Sequence, residues 1–263
     1  MTARPIALVT GASGGLGLEL AKILAADGHD VVLVARSAEA LHALADSLER
    51  QHGVIARAFP TDLAQPDAGP ALARDLEARG LHVDVLVNNA GFTLYGPFDR
   101  NDERTLSDLV RVNIEALTTL TRSLLPGMLE RRRGMVVNMA SNAAFQPGPL
   151  MAAYYASKAY VLSFSLALTE EVRGSGVSVT ALCPGPTATG FQARGGMDDS
   201  KLVAGRGLPS AHSVAAWGYA QAKRGRPFAV HGPRWRAFAF GTRFVPRSVA
   251  ARMAMRSQER TPS

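Results

Sequence analysis

Short apolar runs with almost no polar interruption recur along the chain: IALVT at 6–10, VVLVA at 31–35, VIARAF at 54–59, VDVLV at 83–87, MVVNM at 135–139, VSVTAL at 177–182 and PFAVH at 227–231. Between them lie segments with apolar residues at three- and four-residue spacing, among them LGLELAKILAADG and YYASKAYVLSFSLALTEEV. Strands without strict alternation are buried on both faces, and amphipathic helices between them supply the cover. The pattern predicts an α/β fold, a doubly wound Rossmann fold with a parallel sheet of about seven strands and helices on both faces.

At 263 residues, 47% hydrophobic and 19% charged, the chain has the material for one such domain, 1–263. Its strand–helix rhythm holds over 1–185, breaks in a Gly- and Pro-rich insertion at 186–210 suited to cover a substrate, and ends in a C-terminal strand and basic tail at 211–263. The single cysteine, Cys183, has no intramolecular partner, the six histidines are scattered, and MTARPIALVTG holds no apolar leader before the first strand. A cytoplasmic protein without a metal is expected.

The net charge of +7 is unevenly placed, because from residue 222 onward Lys223 and nine arginines face Glu259 alone. The tail PRWRAFAFGTRFVPRSVAARMAMRSQER sets aromatic and aliphatic residues among arginines at roughly helical spacing. It is expected to pack as a helix on the body or on a sister subunit, with weak contact to an anionic membrane surface as the second reading. No nucleic-acid reader motif accompanies the charge, so nucleic acid is not an expected partner.

Directly after the first apolar run comes TGASGGLG, Thr10 to Gly17, opening a helix-like segment. Glycines at 11, 15 and 17 let the backbone turn tightly and approach a pyrophosphate, whose charge then meets the positive N-terminal end of the helix. The spacing is G-x-x-x-G-x-G, in the strand–loop–helix context that a dinucleotide cradle needs. At the end of the second run, Ala35 and Arg36 stand where an NAD-preferring protein carries an acid for the ribose hydroxyls. A guanidinium with no adjacent carboxylate suits a 2′-phosphate, which favours NADP(H).

With these stretches in place, the sequence resembles the short-chain dehydrogenase/reductase superfamily over residues 5 to about 190. TGASGGLG is similar to that family's cofactor loop, NNAG at 88–91 to its fourth-strand motif, Ser141 with Tyr154-x-x-x-Lys158 to its catalytic set, and CPGPTAT at 183–189 to its sixth-strand motif. The resemblance implies that Gly11, Ser13, Gly15, Leu16 and Gly17 hold the phosphates and that Arg36 reads the 2′-phosphate. It sets Asp62 and Leu63 at the adenine, Asn89, Ala90 and Gly91 along the adenosine ribose, and Pro184, Gly185 and Thr187 beside the nicotinamide. Asn113 of RVNIEA matches a helix asparagine that in relatives supports a water chain to the lysine. A homo-dimer or homo-tetramer built on the helices holding Asn113 and Tyr154 is likewise implied.

Reducing a ketone with hydride calls for a proton donor at the carbonyl oxygen as charge develops there. On a helix both Tyr154 and Tyr155 can lie near Lys158, so helical geometry leaves the choice between them open. The family spacing assigns Tyr154 the acid-base role, Ser141 the hydrogen bond to the carbonyl oxygen, and Lys158 a field and ribose contact. Lys158 and an oxidised nicotinamide are expected to draw the Tyr154 pKa down from about 10. Tyr155 is expected to pack against a neighbouring helix or border the pocket. Phe92, Phe145, Leu150, Met151, Phe191 and Met197 are the apolar pocket candidates. They point to an NADP(H)-dependent oxidoreductase acting on an apolar or weakly polar ketone, aldehyde or secondary alcohol. A 3-oxoacyl-thioester or hydroxysteroid-type reductase is the alternative, and a non-catalytic NADP-binding sensor or scaffold the third reading.

Overall fold

The computed structural model describes residues 4–196 and 207–258. Seven parallel strands, β1 (Ile6–Thr10), β2 (Asp30–Ala35), β3 (Ala56–Pro60), β4 (Val83–Asn88), β5 (Gly134–Met139), β6 (Val177–Cys183) and β7 (Phe228–Val230), form one sheet in the order β3-β2-β1-β4-β5-β6-β7.

The near-continuous apolar runs are explained by the two layers that cover the sheet. Ala7 and Val9 of β1, Val31 and Leu33 of β2, and Val85 and Val87 of β4 pack beneath α1 (Gly15–Ala26), α2 (Ala38–His52) and α8 (Ala211–Lys223). Their neighbours Leu8, Val32, Val34 and Leu86 pack on the opposite layer, α3 (Ala68–Ala78), α5 (Leu117–Glu130) and α6 (Ala152–Glu171). Each fully buried aliphatic side chain contributes roughly 1.5–3 kcal/mol, so both faces hold the strands in place. Strand order reverses direction between β1 and β4, and the crevice beyond their C-terminal ends is where such sheets bind ligands.

Two expectations are corrected. β3 begins at Ala56, two residues later than the apolar run suggests, because α2 ends in left-handed Gly53 (φ 62°) and the next residues return the chain to the sheet. Ile55 then donates its amide to the Asp30 carboxylate at 2.8 Å. The region after 186 is also more helical than a strand with one helical tail. α7 (Phe191–Arg194) and α8 precede β7, and the tail is two helices, α9 (Pro233–Gly241) and α10 (Arg247–Gln258). Pro246 forces the break: Val245 before it is extended (φ −99°, ψ 125°), as a residue preceding proline prefers.

Candidate active site

The tips of β1 and β4 are fastened together, and this fixes the loop that leaves β1. Thr10 Oγ1 donates to the Val87 carbonyl at 3.2 Å and accepts from the Asn89 and Ala90 amides, both at 3.0 Å. The Asn89 side chain donates back to the Thr10 carbonyl at 2.9 Å. Gly15 then turns through a left-handed conformation (φ 56°), and α1 runs so close to the loop that a Cβ on Gly17 would stand 2.3 Å from the Gly11 oxygen. The N-cap of α1 is Gly14, which has no side chain to offer the first-turn amides. By contrast Ser37 caps α2, and Asp102 caps α4 (Glu103–Val110). Uncapped amides at the positive end of a helix are a ready anion site.

Above this loop lies a cavity of about 850 Å³. Its lining follows the order of the strands: Asp62 and Leu63 after β3 and Arg36 after β2 stand towards one end, and Gly11, Ser13, Gly15 and Leu16 after β1 and Asn89, Ala90 and Gly91 after β4 come between. Ser141 after β5 with Pro184, Gly185 and Thr187 after β6 stand towards the other end, where Tyr154 and Lys158 of α6 also line it. Of the cofactor residues expected from sequence, Gly17 alone does not border it, since its role is to let α1 approach. Arg36 is exposed. The Asp62 carboxyl is held below the usual carboxylate range, first by its bond from Gln65, then by the Ala64 amide and the Arg36 charge, against an opposing effect of burial.

At the catalytic end, α6 carries Tyr154, Tyr155 and Lys158, all buried. Lys158 Nζ donates to the Met139 carbonyl at 2.7 Å and lies 5.8 Å from the centre of the Tyr154 ring. Burial lowers the Lys158 pKa to about 8, with the neighbouring Cys183 pulling the other way. Burial also pushes Tyr154 up to about 12, opposed by hydrogen bonding with Ser141. Among the protein's own groups, the cost of taking the phenolate out of water outweighs the stabilisation that Ser141 gives it. Ser141 caps a short 3₁₀ turn (Asn142–Phe145), accepting from the Ala143 amide at 3.1 Å and donating to Asn142 Oδ1 at 3.1 Å.

Asn113 is buried within a π-helical turn (Arg111–Ala116) that joins α4 to α5, a helix defect frequent at functional sites. Its side chain brackets Phe92, accepting from the Phe92 amide at 3.1 Å and donating to the Phe92 carbonyl at 3.0 Å. It also donates to Ser157 Oγ at 3.1 Å, and Ser157 in turn donates to the Tyr154 carbonyl at 2.7 Å. These bonds tie the segment after β4 to the first turn of α6, a mechanical role in placing Tyr154.

Of the apolar candidates, Phe92, Met151 and Phe191 line the cavity, and Phe191 packs 5.6 Å from the Tyr154 ring. Phe145 does not; it is drawn into a separate cluster with Val161, Leu162 and Trp235. Leu150 is spent on backbone geometry, with φ 64° and a carbonyl that accepts from the Gly96 amide at 2.8 Å. Met197 lies outside the described residues. Sequence reasoning missed Gln192, which lines the cavity while donating to the Thr187 carbonyl at 2.8 Å, and it missed Trp235 of α9, whose indole covers Gly185. Neither sits in a motif that could have announced it.

Residues 5–199 match the family described as short chain dehydrogenase. Among named relatives, a very-long-chain 3-oxoacyl-CoA reductase of Laccaria bicolor is 37% identical over 178 residues, covering 67% of this chain and 53% of the reductase. Nodulation protein G of Rhizobium sp. (strain N33) is 38% identical over 179 residues, covering 68% of this chain and 71% of that protein. Thus the chain spans about half the length of the 3-oxoacyl-CoA reductases it matches. Among solved structures, a short-chain dehydrogenase from Sphingobium yanoikuyae in complex with NADPH superposes with a TM-score of 0.82 at 30% identity, covering 98% of this chain and 97% of that one.

Proposed function

This chain belongs to the short-chain dehydrogenase family, and from that premise we propose that it is an NADP(H)-dependent oxidoreductase acting on the carbonyl or secondary alcohol of an apolar or weakly polar small molecule. The observation that carries the reading is the arrangement of one cavity, with Ser141, Tyr154 and Lys158 gathered at one end and Arg36 at the other. The residues fit the cofactor: the uncapped start of α1 suits a pyrophosphate, and Arg36 suits a 2′-phosphate. When bound, NADPH supplies hydride.

The chain's own residues manage the oxygen of the substrate. Burial keeps the Tyr154 phenol protonated through neutral pH, which is the form that can give a proton to a carbonyl oxygen. Ser141 Oγ, hydrogen-bonded with Tyr154, becomes a second donor to that oxygen when its single proton turns away from Asn142 Oδ1. Lys158, protonated below about pH 8, stabilises the phenolate left behind. In sum the carbonyl carbon gains hydride, the oxygen gains the Tyr154 proton, and C=O becomes CH–OH.

Within this class, a 3-oxoacyl thioester is the substrate reading favoured by the names of the relatives. A cytoplasmic dimer or tetramer belongs to the same proposal; exposed Val110 and Tyr160 on the helices flanking the site support association. Exposed Phe240 and Phe244 beside Arg243 support weak contact of the tail with an anionic membrane surface. The deciding experiment follows NADPH oxidation across apolar ketones and 3-oxoacyl thioesters. Turnover should fall at least about 1,000-fold in Tyr154→Phe with NADPH affinity retained. Wild type that binds NADPH yet reduces no carbonyl would favour the sensor reading instead.

A further inference from the structure

The far end of the chain returns to the active site. In α10, Ala250, Ala254 and Gln258 recur every four residues and form its buried stripe, which carries a polar residue, Gln258, to full burial. Gln258 Nε2 donates to Tyr155 Oη at 2.8 Å, and the Tyr95 hydroxyl donates to the Gln258 carbonyl. Gln258 Oε1 is buried with no partner among the described residues, so what its side chain gains from burial there is the bond to Tyr155.

Tyr155 is held on two other sides. A Cβ on Gly148 would stand 2.2 Å from its ring, and its edge meets the Tyr154 ring, with centroids 6.1 Å apart at 77°. It also borders the cavity next to Tyr154. Because its oxygen already accepts from Gln258, its own proton is directed elsewhere, and burial keeps that proton in place at neutral pH.

We propose that Tyr155 is a specificity-determining residue, positioned by Gln258 to donate a hydrogen bond to a second oxygen of the substrate, separate from the carbonyl that is reduced. The ligand class is then a ketone bearing a nearby acceptor, such as a 3-oxo ester or thioester, in preference to a plain ketone of equal length. The proposal rests on the reductase reading above. A buried donor built for a substrate oxygen discriminates strongly against an analogue that lacks it.

The test compares a long-chain 3-oxo ester with a monoketone of matched length, using wild type, Tyr155→Phe, Gln258→Leu and the double variant, with NADPH affinity and circular dichroism measured for each. Each single change should cut kcat/KM for the 3-oxo ester by roughly tenfold, mainly through KM, which corresponds to one hydrogen bond of about 1.4 kcal/mol. Activity on the monoketone should stay within about twofold, and the double variant should be no worse than the worse single one. Equal losses on both substrates, or additive losses in the double variant, would overturn the assignment while leaving the reductase reading intact. No turnover of either substrate by wild type would overturn the reductase reading, and this one with it.

Discussion

Lys158 donates to the Met139 carbonyl at 2.7 Å from a buried position, which makes an amine that the proposed chemistry requires a burden on the fold. Its pKa falls from the ordinary 10.5 to about 8. Below pH 8 the amine is protonated in both folded and unfolded chains, and its burial costs up to about 3 kcal/mol. Between about 8 and 10.5 the folded chain releases the proton while the unfolded chain keeps it, so the unfolded state binds more protons and this contribution to stability rises with pH. Lys158→Met should therefore be inactive yet at least as stable as wild type at pH 7. That advantage should shrink by pH 9.5 in thermal melts. A melting difference that does not move with pH would show that the lysine is not buried as a costly cation.

Among the described residues that line the cavity, Arg36 is the one basic side chain besides Lys158, and it is exposed. A guanidinium paired with a phosphate is worth roughly 1.5–3 kcal/mol, or about 10- to 100-fold in affinity. Arg36→Asp should lower kcat/KM for NADPH by about that factor and raise it for NADH, because the new carboxylate repels a 2′-phosphate and can accept from ribose hydroxyls. Steady-state kinetics with both cofactors give the ratio directly. Parallel losses with the two would deny Arg36 its role as phosphate reader.

What could be read in advance, and what could not, follows the range of the interactions. Strands such as Leu8 between Ala7 and Val9 were legible because a residue buried on either face of a sheet must be apolar whichever layer it meets. Ser141, Tyr154 and Lys158 were picked out by the resemblance to the family's motifs, because helical spacing alone leaves Tyr154 and Tyr155 equivalent, and the structure brings all three to the cavity. The Tyr154 pKa was not legible, since its shift comes from burial contributed by the whole fold. Phe145 and Phe191 look equivalent in sequence, yet only Phe191 reaches the cavity. Gln258 meets Tyr155 across 103 residues, and no local pattern encodes such a contact.

Gly17 tests the close approach of α1 to the cofactor loop. A methyl there would stand 2.3 Å from the Gly11 oxygen and 2.4 Å from Asn89 Nδ2, neither of which can move without undoing the junction of β1 and β4. Gly17→Ala should cost about 1–3 kcal/mol in urea denaturation and weaken NADPH binding, measured by fluorescence titration, by at least tenfold. An unchanged midpoint with unchanged affinity would mean that α1 has room to withdraw.

Beneath the site, Asn88 and Asn138 form a buried polar relay between β4 and β5. Asn88 Nδ2 donates to Asn138 Oδ1 and to Thr121 Oγ1, both at 2.9 Å, and Asn138 Nδ2 donates to Ser165 Oγ at 2.9 Å. The relay ends where Thr121 and Ser165 donate to carbonyls of their own helices, both at 2.7 Å, so these hydroxyls stay satisfied without either asparagine. Asn138→Leu alone deprives Asn88 of an acceptor inside the core and should cost about 1–3 kcal/mol. Replacing both asparagines removes donor and acceptor together, so the double variant should lose less stability than the sum of the two singles. A strictly additive double-mutant cycle in urea would show that each asparagine is held by its helix contact and that the link between the strands contributes nothing.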